Sequence, residues 1–377
     1  MARPYVLYGW HLSYFTGKVR CYLRHKGIAF DDRPVDLYTL MVRVRKHTGA
    51  VVMPVLVTPD GQWLQDSSVI IDHLEALYPQ APVHPSDPVQ RFASYLMEAW
   101  GDEWWVPVAM HTRWSYPENY ALFERDAGSH LLPGFPGFLQ RRAVAYVADT
   151  LRHKLHAVGV RPAQFGVLNQ WTTQMLDWLD AHFAQHAYLF GNAPTLGDFG
   201  LVGTMAAHLG RDPWPARELI APRPHLRAWI DRMDHPSPHR LPNHSAQGLA
   251  PGSLPLTLQP IYRAIFDEFT QLLQGIVAEV ERAQAQLEPG RAFARGLGDV
   301  TVRTPFGDFT RSALPYTLWM AQRTLDVFHA MSASDQEAVR AWALPLGGES
   351  FLNLQIPRLE RRALRVAPAG LSRAGQP

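Results

Sequence analysis

The sequence predicts an α/β domain, then an all-α domain, then a further and mainly helical segment. Three observations predict it. Short β-branched and aromatic runs separated by Gly and Pro turns crowd the residues before Pro79. From Val89 onward, apolar residues recur at helical spacing instead. A Pro-, His- and Gly-rich break near residues 236–255 then separates off about one-third of the chain, again helical in pattern.

The chain has 377 residues, enough for two or three domains with ample core, and 47% hydrophobic residues suit a globular protein. A net charge of +2 argues against an electrostatic nucleic-acid binder, despite a pI near 8.7. One cysteine excludes an internal disulfide framework and a multi-cysteine zinc site. Its 17 His include no HExxH pattern or tight His/acid cluster, so no metal is expected. Met1-Ala2-Arg3-Pro4 leads directly into YVLYG, and no apolar run approaches a membrane span. The expected location is the cytoplasm, with no membrane partner.

In order, residues 5–9 read as a strand and residues 17–26 as a helix ended by Gly27, with Val19, Tyr22 and Leu23 inward. Cys21 lies among apolar neighbours and is expected in the core. Residues 28–30 and 35–37 suggest the next strand, followed by a basic segment with Arg43, Arg45, Lys46 and His47. The stretch 51–77 reads as strand, turn, strand and helix. Pro54 interrupts its first apolar run, and proline belongs only at a strand's start or edge. A cis Met53-Pro54 bond is the natural reading, leaving the Met53 backbone free to bond something other than the sheet. Pro59-Asp60-Gly61 makes the turn, Trp63-Leu64 the return strand, and Gln65-Asp66-Ser67-Ser68 the helix start before Val69, Ile70, Leu74 and Leu77. The resulting βαβαββα is the thioredoxin-like order.

Unpaired helix amides with the Ser67 hydroxyl make a carboxylate site, and Asp66 beside them attracts an ammonium. An α-amino acid carries both charges on one carbon. With Met53 free to pair as a strand would, the implied ligand is a small peptide with a free amino-acid head. Taken alone, Asp66 and Ser67 also read as an ordinary helix cap.

Pro54 followed by Asp66-Ser67 resembles the glutathione-binding unit of the glutathione transferase superfamily. LYGWHLSYFTGKVRCYLRHKGIAF is similar to the opening of many bacterial members. The resemblance implies glutathione as the peptide, held by Met53, Pro54, Asp66 and Ser67, with Lys46 or His47 for its other carboxylate. It places Ser13 where serine- and cysteine-type members hold the catalytic residue. There a hydroxyl at a helix N-terminus favours thiolate over thiol. Tyr14 is the rival, since tyrosine-type members use a phenol, and Tyr8 is a further one. Tyr follows Ser13 where Pro is frequent, so the activating group stays open.

After a linker with four prolines, residues 89–114 form one long helix or two, broken at Pro107. In the family this region faces the peptide and builds the pocket of a hydrophobic co-substrate, which makes Trp104, Trp105, His111, Arg113 and Trp114 candidates. Most of this stripe is expected to be core. Further helices are read at 139–158 and 168–183. In YLFGNAPTLGDFGLVGTMAAHL, Thr195 and Asp198 form a capping box before a buried helix, a folding signature of the family's helical domain.

The extension reads as a helix over 258–287, a hairpin around Pro305-Phe306-Gly307, and helices at 314–331 and 335–344. Trp319, Arg323, Asp326 and His329 share a helical face, read as a packed polar seam or the roof of the pocket. IPRLERRALRV is expected to be exposed. The expected domains are 1–80, 88–235 and 250–367. The function implied is a glutathione transferase attacking a hydrophobic electrophile, as a homodimer. Glutathione-dependent isomerisation, dehalogenation or ether cleavage are alternatives, as is a binding or regulatory protein of the same fold without turnover.

Overall fold

The computed structural model describes residues 3–236 and 249–370. Most of the expected second linker lies outside the described residues. The first layer is a four-stranded sheet of β1 (Tyr5–Gly9), β2 (Phe30–Pro34), β3 (Val55–Val57) and β4 (Trp63–Gln65), in the order β2-β1-β3-β4. β1 runs parallel to β2 and antiparallel to β3, and β3 runs antiparallel to β4. Helix α1 (Tyr14–His25) crosses between β1 and β2. A π-helical turn at Thr39–Val44 and the short α2 (Arg45–Thr48) precede β3, and α3 (Ser67–Leu77) follows β4. This is the thioredoxin-like order. β2 falls between the two apolar runs expected to form it, because at the sheet edge its residues FDDRP remain half-exposed or exposed.

Met53-Pro54 is cis, and the β3 pairing begins only at Val55. Helix α1 starts earlier than periodicity suggested, at Tyr14, with Ser13 as its N-cap in extended conformation.

The helical layer begins with α4 (Pro88–Glu103) and α5 (Val106–Trp114), separated as expected near Pro107, which sits in the first turn of α5. Then come α6 (Glu118–Leu131), α7 (Gly137–Arg152), α8 (Phe165–Phe183), α9 (Leu196–Thr204), a helical turn α10 (Pro213–Pro215) and α11 (Pro224–Asp234). The Thr195–Asp198 capping box is present; Asp198 also accepts from the Leu189 amide and Trp229 Nε1, both at 3.0 Å. Helix α9 packs on α4 at backbone contact. A Cβ on Gly200 would stand 2.6 Å from Glu98 Cα, so only glycine permits the approach.

The extension comprises α12 (Gln259–Ala264), a π-helical stretch leading into α13 (Thr270–Gln284), the hairpin β5 (Asp299–Thr304) and β6 (Gly307–Ser312), α14 (Pro315–His329), α15 (Ala333–Ala343), the short α16 (Glu349–Leu352), and a last hairpin β7 (Leu359–Arg362) and β8 (Arg365–Pro368). Its apolar side chains Tyr262, Phe266, Phe328 and Phe351 join the same core as Phe92 and Trp100. The closing basic stretch is not free at the surface. Leu359, Val366 and Ala367 are buried, and Arg361 donates to the Gln65 side chain and carbonyl, because the hairpin packs against the rest of the chain. No helix among the described residues is long and apolar enough to cross a membrane.

Candidate functional site

Two cavities meet where the sheet, the helical layer and the extension converge. The smaller, about 410 Å³, is lined by Met53, Pro54, Asp66 and Ser67 from one side, Asp102 and Glu103 from α4, and Pro315 and Tyr316 from α14. The larger, about 950 Å³, is lined by Ser13 and largely by apolar groups, including Trp10, Met110, Trp114, Phe123 and Leu151. Phe15, Val52, Met53, Lys154, Arg295 and Leu364 line both, so the two spaces adjoin.

Asp66 is the N-cap of α3, with Oδ1 accepting from the Ser68 and Val69 amides at 3.0 and 3.3 Å. Its φ of 91° is a strained value for a residue with a side chain, held by these bonds and by the Tyr316 hydroxyl, which donates to Oδ2. Ser67 lines the cavity beside it. Beneath them lies a buried charge network. Lys18 Nζ reaches Glu98 Oε1 and Asp102 Oδ2, each at 2.6 Å, and Ser68 Oγ at 3.1 Å. Arg323 reaches Glu98 and Asp72, each at 2.8 Å.

Two carboxylates thus share one lysine, and only Glu98 has a second cation. Burial pushes Glu98 up, but Arg323 and Lys18 bring it down to about 2. Burial raises Asp102 to about 8, with Lys18 opposing and Glu98 adding repulsion. Burial also lifts Glu103 to about 7. Asp102 Oδ1 is buried without a protein partner, and its side chain lines the smaller cavity. This orphaned oxygen and Asp66 suit a ligand ammonium, and Ser67 suits the neighbouring carboxylate; the next α3 amides, expected to be unpaired, are instead taken by Asp66. The residues present fit the amino-acid head of glutathione.

At the larger cavity, Ser13 Oγ accepts from Thr16 Oγ1 at 2.9 Å, which leaves its own O–H free to donate. Tyr14, the expected rival activator, also lines this cavity, but its hydroxyl points elsewhere. Its side chain is buried and its hydroxyl donates to the Gly101 carbonyl, so the phenol is committed to the α4 backbone. Tyr8 lines neither cavity and stacks on Trp63.

Lys46 and His47 also depart from expectation, for neither lines a cavity. The short α2 turns this basic segment outward, and the His47 ring stacks on Trp63 with centroids 4.3 Å apart. Of the five candidate pocket residues, Arg113 and Trp114 line the larger cavity. Trp104 and Trp105 pack instead against Trp171 in the core. His111 is buried, with its ring nitrogens against Ser115 Oγ and Asn169 Oδ1. Arg113 has its donors occupied: Asp212 at 2.8 and 3.0 Å, the Ala207 carbonyl at 2.7 Å and the Leu12 carbonyl at 2.6 Å. Cys21 is fully buried, and burial raises its thiol.

Sequence reasoning missed Asp102, Glu103, Lys154, Arg295 and Tyr316. Two consecutive acids inside the apolar WGDEWW were the available signal for the first pair. Nothing local marked the other three.

The family model "Glutathione S-transferase, N-terminal domain" matches residues 7–82, and "Glutathione S-transferase, C-terminal domain" matches residues 173–232, in that order along the chain. Over these residues the chain matches the two domains of the glutathione S-transferase family. Those matches fall on the sheet layer and on the α8–α11 region of the helical layer. A probable maleylacetoacetate isomerase from Caenorhabditis elegans is 32% identical over 88 residues, 23% of this chain and 41% of that protein. The chain thus matches less than half the length of that relative. Among solved structures, a glutathione transferase from Methylobacterium radiotolerans in complex with glutathione sulfonate is 21% identical, with a TM-score of 0.38, covering 62% of this chain and 91% of its own. A β-etherase from Sphingobium sp. strain SYK-6 is 20% identical, with a TM-score of 0.41, covering 63% and 96%. The third segment reaches back over the cavity formed by the first two, with Arg295, Pro315 and Tyr316 in its lining.

Proposed function

We propose that this chain is an enzyme that binds glutathione in the smaller cavity and directs its thiol toward an apolar electrophile in the larger one. The adjacency of the two cavities carries the reading: Asp66, Ser67 and Met53 line one, Ser13 lines the other, and Phe15 and Met53 line both. Asp66 and Asp102 receive the ammonium, Ser67 the adjacent carboxylate, and the Met53 backbone the next residue of the peptide. Ser13, at the N-terminus of α1, donates to the sulfur, where that hydrogen bond and the helix dipole both favour the thiolate.

Conjugation, isomerisation, dehalogenation and ether cleavage all begin with that thiolate. The names of the similar proteins include an isomerase and an etherase. Conjugation is our choice on the general habit of the superfamily. The domain division 1–80, 88–235 and 250–367 is part of this proposal, as are a cytoplasmic location and a homodimer, which sedimentation at micromolar concentration tests. The extension closes the smaller cavity from within the chain, so a monomer in that experiment leaves the site complete.

The functional test is retention on immobilised glutathione, followed by the ultraviolet absorbance of the bound thiol at neutral pH. Binding with thiolate absorbance supports the reading; retention with thiol absorbance alone favours the second reading, a binding or regulatory protein without turnover. Tyr316 favours that alternative, since its hydroxyl already occupies the carboxylate of Asp66.

A further inference from the structure

Lys154 and Arg295 line both cavities and therefore stand at their junction. They come from segments far apart in the chain: Lys154 follows α7, while Arg295 belongs to the extension. The Arg295 loop is pinned on both sides, the Phe293 amide donating to the Val366 carbonyl at 2.8 Å and the Leu297 amide to the Ala313 carbonyl at 2.9 Å. The Lys154 turn is likewise held, its amide donating to the Leu151 carbonyl at 3.0 Å.

Neither cation has an acidic partner among the described residues. The acids lining the smaller cavity, Asp66, Asp102 and Glu103, are already engaged with Tyr316, Lys18 and Thr317. Partial desolvation at the cavity rim lowers the Lys154 pKa and Arg295 lowers it further, with no carboxylate opposing them. Two like charges held together at an apolar cavity are unfavourable by themselves and become favourable when an anion lies between them. The neighbouring surface is apolar, with Trp114, Leu151 and Val147 lining the larger cavity.

We propose that Lys154 and Arg295 form an anion-binding pair that takes the carboxylate or sulfonate of a second ligand whose apolar body fills the larger cavity. The inference rests on the reading that this cavity receives the co-substrate, and it names the class: amphiphilic organic anions rather than neutral hydrocarbons. The extension thereby supplies half of a specificity device, because Arg295 lies beyond the regions matched by the family models. A glutathione carboxylate is the competing occupant, and the test separates the two.

The full chain is titrated with two fluorescent probes of the same ring size, anilinonaphthalene sulfonate and uncharged phenylnaphthylamine, and separately with glutathione and with glutathione amidated at its glycine carboxyl. Both side chains are exposed, so Lys154→Met with Arg295→Met is expected to fold, and Lys154→Arg with Arg295→Lys preserves charge. The methionine double variant should weaken the sulfonate by at least about tenfold, the scale of one charge-assisted hydrogen bond, and the neutral probe by less than about twofold. The charge-preserving variant should retain sulfonate binding. Equal changes for both probes, or no change for either, overturn the proposal. So does a loss confined to glutathione and absent for its amide, which assigns the pair to the peptide. A chain without affinity for glutathione defeats the functional reading alone, because the probe comparison still decides this one.

Discussion

The hydroxyl of Tyr316 donates to Oδ2 of Asp66, joining α14 of the extension to the N-cap of α3 across 250 residues of sequence. Asp66 Oδ1 is fixed by the α3 amides, so the carboxylate does not need Tyr316 to hold its orientation. Burial and Asp66 raise the Tyr316 phenol well above its ordinary value, which keeps it a donor. A ligand ammonium must share or displace that bond. Tyr316→Phe keeps the ring and removes the competitor. It should tighten glutathione by about threefold to tenfold, within the net worth of a hydrogen bond to a charged group. Calorimetric titration checks this, and weaker binding means Tyr316 supports the site instead.

Ser13→Ala should raise the pKa of the bound glutathione thiol by about one to two units, because a hydrogen bond to a charged group is worth roughly 1.5–3 kcal/mol. Turnover at neutral pH should fall about tenfold or more where that bond strengthens toward the transition state, with little change in glutathione affinity. Tyr14→Phe should leave the thiol titration unmoved and instead cost about 1 kcal/mol of stability, through the lost bond to Gly101. If the two variants exchange effects, the serine is not the activating group.

The cis Met53-Pro54, the start of α3 and the Thr195–Asp198 box were legible because each rests on local chemistry: a proline in a strand, a small polar residue before an apolar helix, a reciprocal cap. The engagement of the Tyr14 phenol was not, because Ser13-Tyr14 places two hydroxyls side by side and only packing against Gly101 and Gly203 decides which hydroxyl is committed to the backbone. Lys46 and His47 form a basic run that reads the same whether it faces ligand or solvent. Lys154 and Arg295 meet only through tertiary folding, 141 positions apart by their numbering. The closing basic hairpin reads as exposed because its arginines dominate the composition, while only tertiary packing buries Leu359, Val366 and Ala367.

Asp102 gives the site a pH dependence with a definite sign. Burial raises it to about 8 and Glu103 to about 7, whereas in the unfolded chain both titrate near the ordinary carboxylate value of about 4. Between those values the folded state binds more protons, so these groups lower stability as pH rises from about 4 to about 8. Below that window they contribute no difference, and above it the cost is fully incurred. An ammonium placed against Asp102 favours the carboxylate, so glutathione binding should release a proton and tighten as pH rises through about 7 to 8. Calorimetry in two buffers of different ionisation enthalpy measures the proton count. Asp102→Asn should flatten the profile; a wild-type profile that is already flat removes Asp102 from the ammonium site.

Arg113 acts on the site through the backbone before Ser13. Its Nη1 donates to the Leu12 carbonyl at 2.6 Å while Nε and Nη2 grip Asp212, and both partners are almost fully buried. His208 is held neutral by burial and by Arg113, and with Nδ1 against the Ala109 carbonyl its Nε2 faces Arg113 Nη1 at 3.2 Å as an acceptor. The guanidinium therefore fixes α5, the segment after α9 and the entry to α1 in one geometry. Arg113→Lys retains the charge but loses the fork, so at most one or two of these bonds survive. Stability should fall by about 1–3 kcal/mol, below the roughly 3–5 kcal/mol expected when a buried carboxylate is left unpaired, as in Arg113→Met. With the Leu12 carbonyl released, Ser13 loses its fixed position, so kcat should drop while the KM for glutathione changes little, because Asp66 and Ser67 do not touch Arg113. An equal loss in both parameters, with an unshifted thiol pKa, would mean that Arg113 only supports the fold.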